Sequence, residues 1–329
     1  MEQQTSNNQL NNNGNEGAFA AAKAFLDTHQ KFLLISHAHT DGDDLGSILA
    51  ITEVLKSMGK LAVPAAVGGV PASLKFLPGQ QAVRNHFPTD ENFEAIILSG
   101  CSNPERAEMD EVASSSLPML NIDHHPDNKL YGSVNVVDRT KSSVAELVYD
   151  FIKFLGCQIT PEISKDLLTG IFTDTGSFIH ANTTAETLKV AGELVRAGAR
   201  TDSIHASTDS KNLPAMKAWA VAMENTKVDE KNKIVMSVLS EEDIKKIGPL
   251  PEDAFGGFIN FLQTVPETKL AIFIYQDGEY LKGSIRSDEG KNFNVSKLAK
   301  LFGGGGHVLA SGFRVKGKVF KTESGWRIE

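Results

Sequence analysis

The sequence predicts an α/β protein: a parallel sheet with helices on both faces, followed by a smaller C-terminal α/β domain. Three observations predict it. Strand-like and helix-like segments alternate from Gly17 to about Arg200. The first strand is short and wholly apolar, the type that a parallel sheet buries on both faces. The pattern then changes from about Val228, and 329 residues at about 150 per domain favour two domains.

In chain order, residues 1–16 are rich in Asn and Gln, carry little that could offset chain ordering, and read as a disordered tail. Ala18–Thr28 reads as a helix and Phe32–Ser36 as the buried strand. Asp44–Met58 is helical because Leu45, Ile48, Leu49, Ile51 and Leu55 form an apolar stripe. Leu61–Val67, Ala95–Leu98 and Met119–Ile122 read as strands, with a weaker one at Val134–Val137. Ser142–Leu155, Pro161–Phe172 and Thr184–Ala197 read as helices, Pro161 suiting a first helical position. Residues 17–200 therefore form one domain and 201–228 a helical connector, including a helix at Leu213–Met223. In the second domain, 229–329, Ile234–Leu239, Leu270–Tyr275 and Tyr280–Ile285 are strand-like. Asp253–Leu262 and Val295–Phe302 are helix-like.

Composition narrows the function. Hydrophobic content of 41% and charged content of 22% are those of a globular protein. Lys plus Arg number 33 against 41 Asp plus Glu, a net charge of -8. That argues against coating long duplex nucleic acid, which requires phosphate neutralisation, but a short nucleotide held by a few local cations is compatible with it. Cys101 and Cys157 cannot build a disulfide framework and suit a reducing compartment. The N-terminus has no basic and apolar signal pattern, and the apolar stretch Leu61–Ala72 is broken by Pro64, Gly68, Gly69 and Pro71. The expectation is a cytoplasmic protein without a membrane partner; a homodimer is compatible with the sequence.

Four segments carry candidate chemistry. The loop from Ser36 to Ser47 holds His37, His39, Asp41, Asp43 and Asp44. Asp44 there could simply cap the next helix. A calcium loop fits poorly, because Leu45 and Thr52 replace two oxygen ligands, whereas mixed imidazole and carboxylate donors suit Mn, Fe, Co or Zn. In Asp123-His124-His125, one ring can ligate a metal while the other faces substrate; a buried, hydrogen-bonded His pair is the plainer alternative. Asp174 ends an apolar helix in a Thr- and Gly-rich turn, which alone is a plausible C-terminal turn. Gly303-Gly304-Gly305-Gly306-His307 exceeds what a helix C-cap needs and could present N–H groups to an anion; a flexible linker is the alternative. Arg286, ending a strand, could add a fork for the same phosphate. No P-loop, dinucleotide fingerprint, nucleophile elbow or HExxH motif is present.

Together these segments resemble the DHH phosphoesterase family with its DHH-associated C-terminal domain, of the nanoRNase and pAp phosphatase type. The family's HxxxDxDxxGS motif is met by His37, Asp41, Asp43, Gly46 and Ser47. Its namesake triplet is met by Asp123, His124 and His125, its Thr-Asp motif by Thr173 and Asp174, and its GGGGH by Gly303–His307. The resemblance covers nearly the whole chain after the tail. It implies two divalent metals, typically manganese, one held by His37 and Asp41 and the other by Asp43, His124 and Asp174. Asp123 would orient a ligand, and His125 and Arg106 would meet the scissile phosphate. Arg286, Gly304, Gly305, Gly306 and His307 would hold the substrate's far phosphate across an interdomain cleft. The implied function is hydrolysis of short oligoribonucleotides, pAp or linear dinucleotides, by hydroxide attack on phosphorus at the metals. Pyrophosphate or polyphosphate hydrolysis shares the same first-domain chemistry.

One position departs from the family pattern. Counting back from Arg106 puts Gly100, or Ser99, where the family carries a bridging Asp, and neither gives a carboxylate. The expectation is a weakened second metal, and the alternative function is a catalytically impaired nucleotide-binding relative. On this reading Gly100→Asp strengthens metal binding and raises activity.

Overall fold

The computed structural model describes residues 15–329 except 39, 90, 209–210, 252–253, 289, 291–292, 307 and 323–324. Residues 1–14 of the expected tail, His39, Asp253 and His307 therefore lie outside the described residues. The chain divides into two units, Met1–Thr208 and Asp209–Glu329.

The first unit is built on a five-stranded sheet in the order β2-β1-β3-β4-β5. Its strands are β1 (Lys31–Ile35), β2 (Leu61–Ala65), β3 (Ala95–Ser99), β4 (Met119–Asp123) and β5 (Val134–Val137). Every pairing is parallel. Alternation explains why β1 and β3 carry unbroken apolar runs, Phe32–Ile35 and Ala95–Leu98. Phe32, Leu34, Ala95 and Ile97 enter one core, while Leu33, Ile35, Ile96 and Leu98 enter another on the opposite face. Pro64 is tolerated because β2 is an edge strand.

The first face is covered by helices α1 (Glu16–Thr28), α2 (Gly42–Ser57), α3 (Val144–Phe154), α4 (Pro161–Asp174) and α5 (Ala185–Arg196). The second face is covered by shorter pieces: the 3-10 turn Pro104–Ala107 and the single turn Asp110–Ala113, through Ala107, Met109 and Val112. Asn15 and Glu16, expected in the tail, belong to the first helix: Glu16 opens α1, and the Asn15 side-chain amide donates to Asp138 at 2.7 Å. Helix α2 is buried nearly all round, as a helix enclosed by others must be. At Gly46 it approaches α4 so closely that a Cβ would overlap the Asp166 carbonyl oxygen. A side chain there would push the first turn of α2 away from the end of α4, where Asp43 and Asp174 sit.

The expected connector does not form one piece. Helix α6 (Thr201–Thr208) belongs to the first unit, whereas α7 (Leu213–Glu224) belongs to the second. The second unit carries a six-stranded sheet in the order β10-β11-β9-β8-β7-β6. These are β6 (Thr226–Asp229), β7 (Ile234–Leu239), β8 (Leu270–Asp277), β9 (Tyr280–Arg286), β10 (Gly305–Gly306) and β11 (Ala310–Lys316). Only the β7–β8 pairing is parallel. Helices α7 and α9 (Phe258–Gln263) supply Ala222, Phe258 and Leu262 to the core over Val235 and Phe273. Between them in the chain runs α8 (Glu241–Ile247), and α10 (Val295–Lys300) packs Val295 and Ala299 against Leu270 and Ile285. A hairpin of β12 (Val319–Thr322) and β13 (Gly325–Ile328) completes the unit. Among the described residues no helix is long and apolar enough to cross a membrane.

Candidate active site

In an open parallel sheet, ligands bind beyond the carboxyl ends of the strands, where neighbouring strands send their connections in opposite directions. With the order β2-β1-β3, that place lies between β1 and β3. The loop after β1 holds His37 and Asp41, Gly100 follows β3, and His124 follows β4.

The first group of donors is His37, Asp41 and Asp44, with one ligand atom from each lying within 4.8 Å of the others. Asp41, not Asp44, is the N-cap of α2: its Oδ1 accepts from the amides of Asp43 and Asp44 at 3.0 and 3.1 Å. This places Asp43 and Asp44 in the first turn of α2, two residues earlier than the sequence pattern suggests. His37 Nδ1 contacts the Ala38 carbonyl at 2.7 Å, which turns Nε2 toward Asp44 Oδ2 at 2.8 Å and Asp41 Oδ2 at 3.8 Å. Burial opposes charge on His37, but hydrogen bonds and charge from Asp41 and Asp44 outweigh it and push its pKa up to about 11.

The second group is Asp43, His124 and Asp174, drawn together within the same 4.8 Å. Asp43 is 4% exposed, and its carboxylate accepts from the Val144 and Ala145 amides at 2.7 and 2.8 Å. It thereby satisfies two donors at the start of α3 that lack a partner inside their own helix. His124 Nδ1 contacts the Lys141 carbonyl at 3.2 Å, and its Nε2 lies 3.7 Å from Asp174 Oδ2. Asp174 closes α4 as its last residue.

Asp123 organises the neighbouring ring. It is fully buried, and its Oδ1 accepts from the amides of His124 and His125 at 2.7 and 3.0 Å. The same oxygen meets His125 Nδ1 at 2.6 Å, and Asn128 donates to Oδ2. The His125 ring is thus fixed with Nε2 on its opposite edge. Burial disfavours the imidazolium, but the Asp123 carboxylate outweighs it and raises the pKa. The two His rings meet edge to face at 4.7 Å. Arg106 bridges the β1 and β3 loops: its carbonyl accepts from Ala38, and its guanidinium donates to the Gly100 carbonyl at 3.3 Å.

These residues fit divalent cations on their own chemistry. Burial, followed by the charge of nearby Asp residues, pushes the Asp43 and Asp174 carboxyls up, Asp174 to about 8. Burial also pushes up the Asp44 carboxyl. Carboxylates that resist ionising together when no cation is present, with imidazoles interleaved, form a donor set for hard to borderline divalent metals.

Gly100 overturns one expectation. It adopts φ +63°, and a Cβ there would overlap the Asp44 carboxylate, Oδ1 nearest. Gly100→Asp therefore cannot add a carboxylate beside the existing set; it collides with one already in place. Asp44, for which the sequence offered a helix cap as the plainer alternative, is the member of the first donor group that was not among the expected ligands. The available signal was an extra acid in Asp41-Gly42-Asp43-Asp44 combined with the missing acid at position 100.

In the second unit, Arg286 ends β9, pairs in register with Ala271 and Ala310, and is held by Asn260 Oδ1 at 3.3 Å from its Nε. Gly305 and Gly306 pair with Gly312 and Ser311, so this part of the glycine run is an edge strand of the same sheet rather than a linker.

The chain matches the DHH family, N-terminal domain, over residues 31–173 and the DHHA1 domain over residues 231–323. It is 31% identical over 284 residues to the bifunctional oligoribonuclease and PAP phosphatase NrnA of Thermus thermophilus, covering 86% of this chain and 84% of that one. The protein of the same name from Bacillus subtilis is 28% identical over 292 residues, covering 87% and 90%. The fold is shared with the crystal structure of an exopolyphosphatase-related protein from Bacteroides fragilis, at a TM-score of 0.84, 24% identity and 90% coverage of both chains. With these matches spanning both units, the chain belongs to the DHH family of phosphoesterases, a DHH N-terminal domain followed by a DHHA1 domain.

Proposed function

We propose that the protein is a two-metal phosphohydrolase of short nucleotides, with short oligoribonucleotides and pAp as its substrates. The observation that carries this reading is the pair of three-donor groups at the carboxyl ends of the strands, flanked by the Asp123–His125 pair. The activities for which the Thermus and Bacillus relatives are named support the substrate class.

His37 and Asp41 hold one ion, and Asp43, His124 and Asp174 hold the other, with manganese the family's usual metal. When bound, the ions supply Lewis-acid polarisation of the phosphoryl group and activate water for in-line attack. The protein's own groups do the rest. Asp123 keeps the His125 ring oriented and protonated, so that Nε2 can give a proton to the leaving oxygen. Arg106, anchored on the Gly100 carbonyl, places its guanidinium for a non-bridging phosphate oxygen. In the second unit, Arg286 and the glycine run at Gly305 and Gly306 take a further phosphate of the substrate; the Gly304 amide, expected to join them, already donates to the Ala299 carbonyl at 2.9 Å, and His307, from the same motif, lies outside the described residues.

The test is hydrolysis of pAp with Mn2+ in 18O-labelled water. Attack at phosphorus puts one solvent oxygen into the released inorganic phosphate. Unlabelled phosphate with label in the nucleotide would reject the mechanism.

A further inference from the structure

We infer that Asp44 is itself a metal ligand of this centre, supplying from the first turn of α2 the bridging carboxylate that the chain lacks at position 100. The inference rests on the two-metal reading above and goes beyond it. It adds a residue at a position that the family motif leaves unspecified, and it changes what Gly100 means.

Three observations carry it. First, the space is the same: a side chain starting at residue 100 would enter the volume that the Asp44 carboxylate fills. Gly100 directly follows β3, and its amide donates to the Ile122 carbonyl at 3.0 Å, so the backbone that would launch that side chain is fixed. Second, Asp44 is 2% exposed, yet its Oδ1 has no hydrogen-bond partner among the described residues. Its Oδ2 is engaged by His37. A buried carboxylate oxygen left without a donor is costly. A helix-dipole role for an acid in the first turn does not call for it, because such acids point at backbone N–H groups or solvent. Third, Asp44 already belongs to a donor group. One of its carboxylate oxygens lies within 4.8 Å of ligand atoms of His37 and Asp41, and Asp44 directly follows Asp43, a member of the other group, in the first turn of α2.

Charge counting points the same way. Two divalent ions about 3.5–4 Å apart carry four positive charges and need anions between them. Asp41, Asp43 and Asp174 supply three; His37 and His124 ligate as neutral rings. Asp44 supplies the fourth. Gly100 is then a requirement of this arrangement, since any Cβ at that position would displace the carboxylate.

The test is Mn2+ titration by calorimetry, with the Mn2+-induced rise in melting temperature as a second readout. It uses the wild-type chain, Asp44→Asn, Asp44→Ala/Gly100→Asp and Asp44→Ala/Gly100→Ala. Asp44→Asn keeps the size and polarity of the side chain and removes its charge. The wild type is expected to bind two Mn2+, and Asp44→Asn to lose at least tenfold in affinity at one site. Asp44→Ala/Gly100→Asp moves the carboxylate to the other backbone position, where Asp tolerates the left-handed conformation better than most residues. It is expected to recover at least tenfold over Asp44→Ala/Gly100→Ala, which carries the same Cβ without the charge. A wild type that binds fewer than two Mn2+ overturns the two-metal reading and this inference with it. A wild type that binds two, with Asp44→Asn unchanged, overturns the inference alone. So does a carboxylate at position 100 that binds no more tightly than the Ala control.

Discussion

Asp43 and Val144 are joined by a 2.7 Å hydrogen bond across 101 residues of chain, the carboxylate of one accepting from the first amide of α3 in the other. With the matching bond from Ala145, this makes Asp43 both a donor to the candidate metal centre and the acceptor that anchors a second helix. Asp174 sits in the same donor group without that structural duty.

Asp43→Ala and Asp174→Ala should therefore differ. Both should abolish turnover. Asp43→Ala also leaves two buried amides without acceptors, at about 1–3 kcal/mol each, and should unfold at distinctly lower denaturant. Asp174→Ala should match or exceed the metal-free wild type in stability, because it removes a repelled carboxylate. Urea unfolding of the three metal-free proteins checks this; equal midpoints would show that the α3 anchor is not in use.

Asp123→Asn and His125→Ala should separate chemistry from metal loading. His125→Ala should lower kcat by about 100-fold or more, in the range of a lost general acid, while metal content stays within experimental error. Asp123→Asn places an amide against donors that need a carboxylate. It should lower kcat about 10–100-fold and shift the pH profile, since His125 loses the partner that keeps it protonated. Full metal loss in His125→Ala would reassign that ring as a ligand.

Without metal, the protein should lose stability as pH rises. Asp174 has a folded pKa of about 8, above its ordinary value of 3.8, so between those values the folded state binds the extra proton. His37, raised from 6.5 to about 11, acts in the same direction across its own window. Both windows overlap from pH 6.5 to 8, where the slope is at most about 1.4 kcal/mol per pH unit for each group. Melting temperature measured from pH 5.5 to 8.5 should fall in chelator and should fall less, or rise, in saturating Mn2+. A flat profile in chelator would contradict the crowding of acids described here.

Arg286→Ala should raise KM for pAp about 10- to 100-fold through loss of a charged hydrogen bond worth roughly 1.5–3 kcal/mol. Its metal content should match the wild type, since Arg286 belongs to the second unit and the metal donors to the first. Unchanged KM would remove the second unit from substrate binding.

Much of this is legible in the sequence because β1 and β3 are buried on both faces and read as plain apolar runs, and because each candidate ligand follows a strand or ends a helix. The rest depends on contacts that are distant in the chain. Asp44 reads as a cap until Gly100 is seen opposite it, and Asp43 reads as a ligand alone until α3 is seen to start against it. In the second unit, β6 is polar at Thr226, Lys227 and Asp229, and β12 and β13 are short and largely exposed, so no periodicity marks them. Helix α8 is only seven residues long and escapes for the same reason.

The decisive measurement is turnover by the purified chain of a diribonucleotide, pAp and pyrophosphate, each with Mn2+ and with chelator. A two-metal nucleotide phosphohydrolase should release mononucleotides from the first substrate and inorganic phosphate from the second, both abolished by chelator, with kcat/KM for either well above that for pyrophosphate. Efficient pyrophosphate hydrolysis with neither nucleotide cleaved, or nucleotide cleavage that survives the chelator, would contradict this reading.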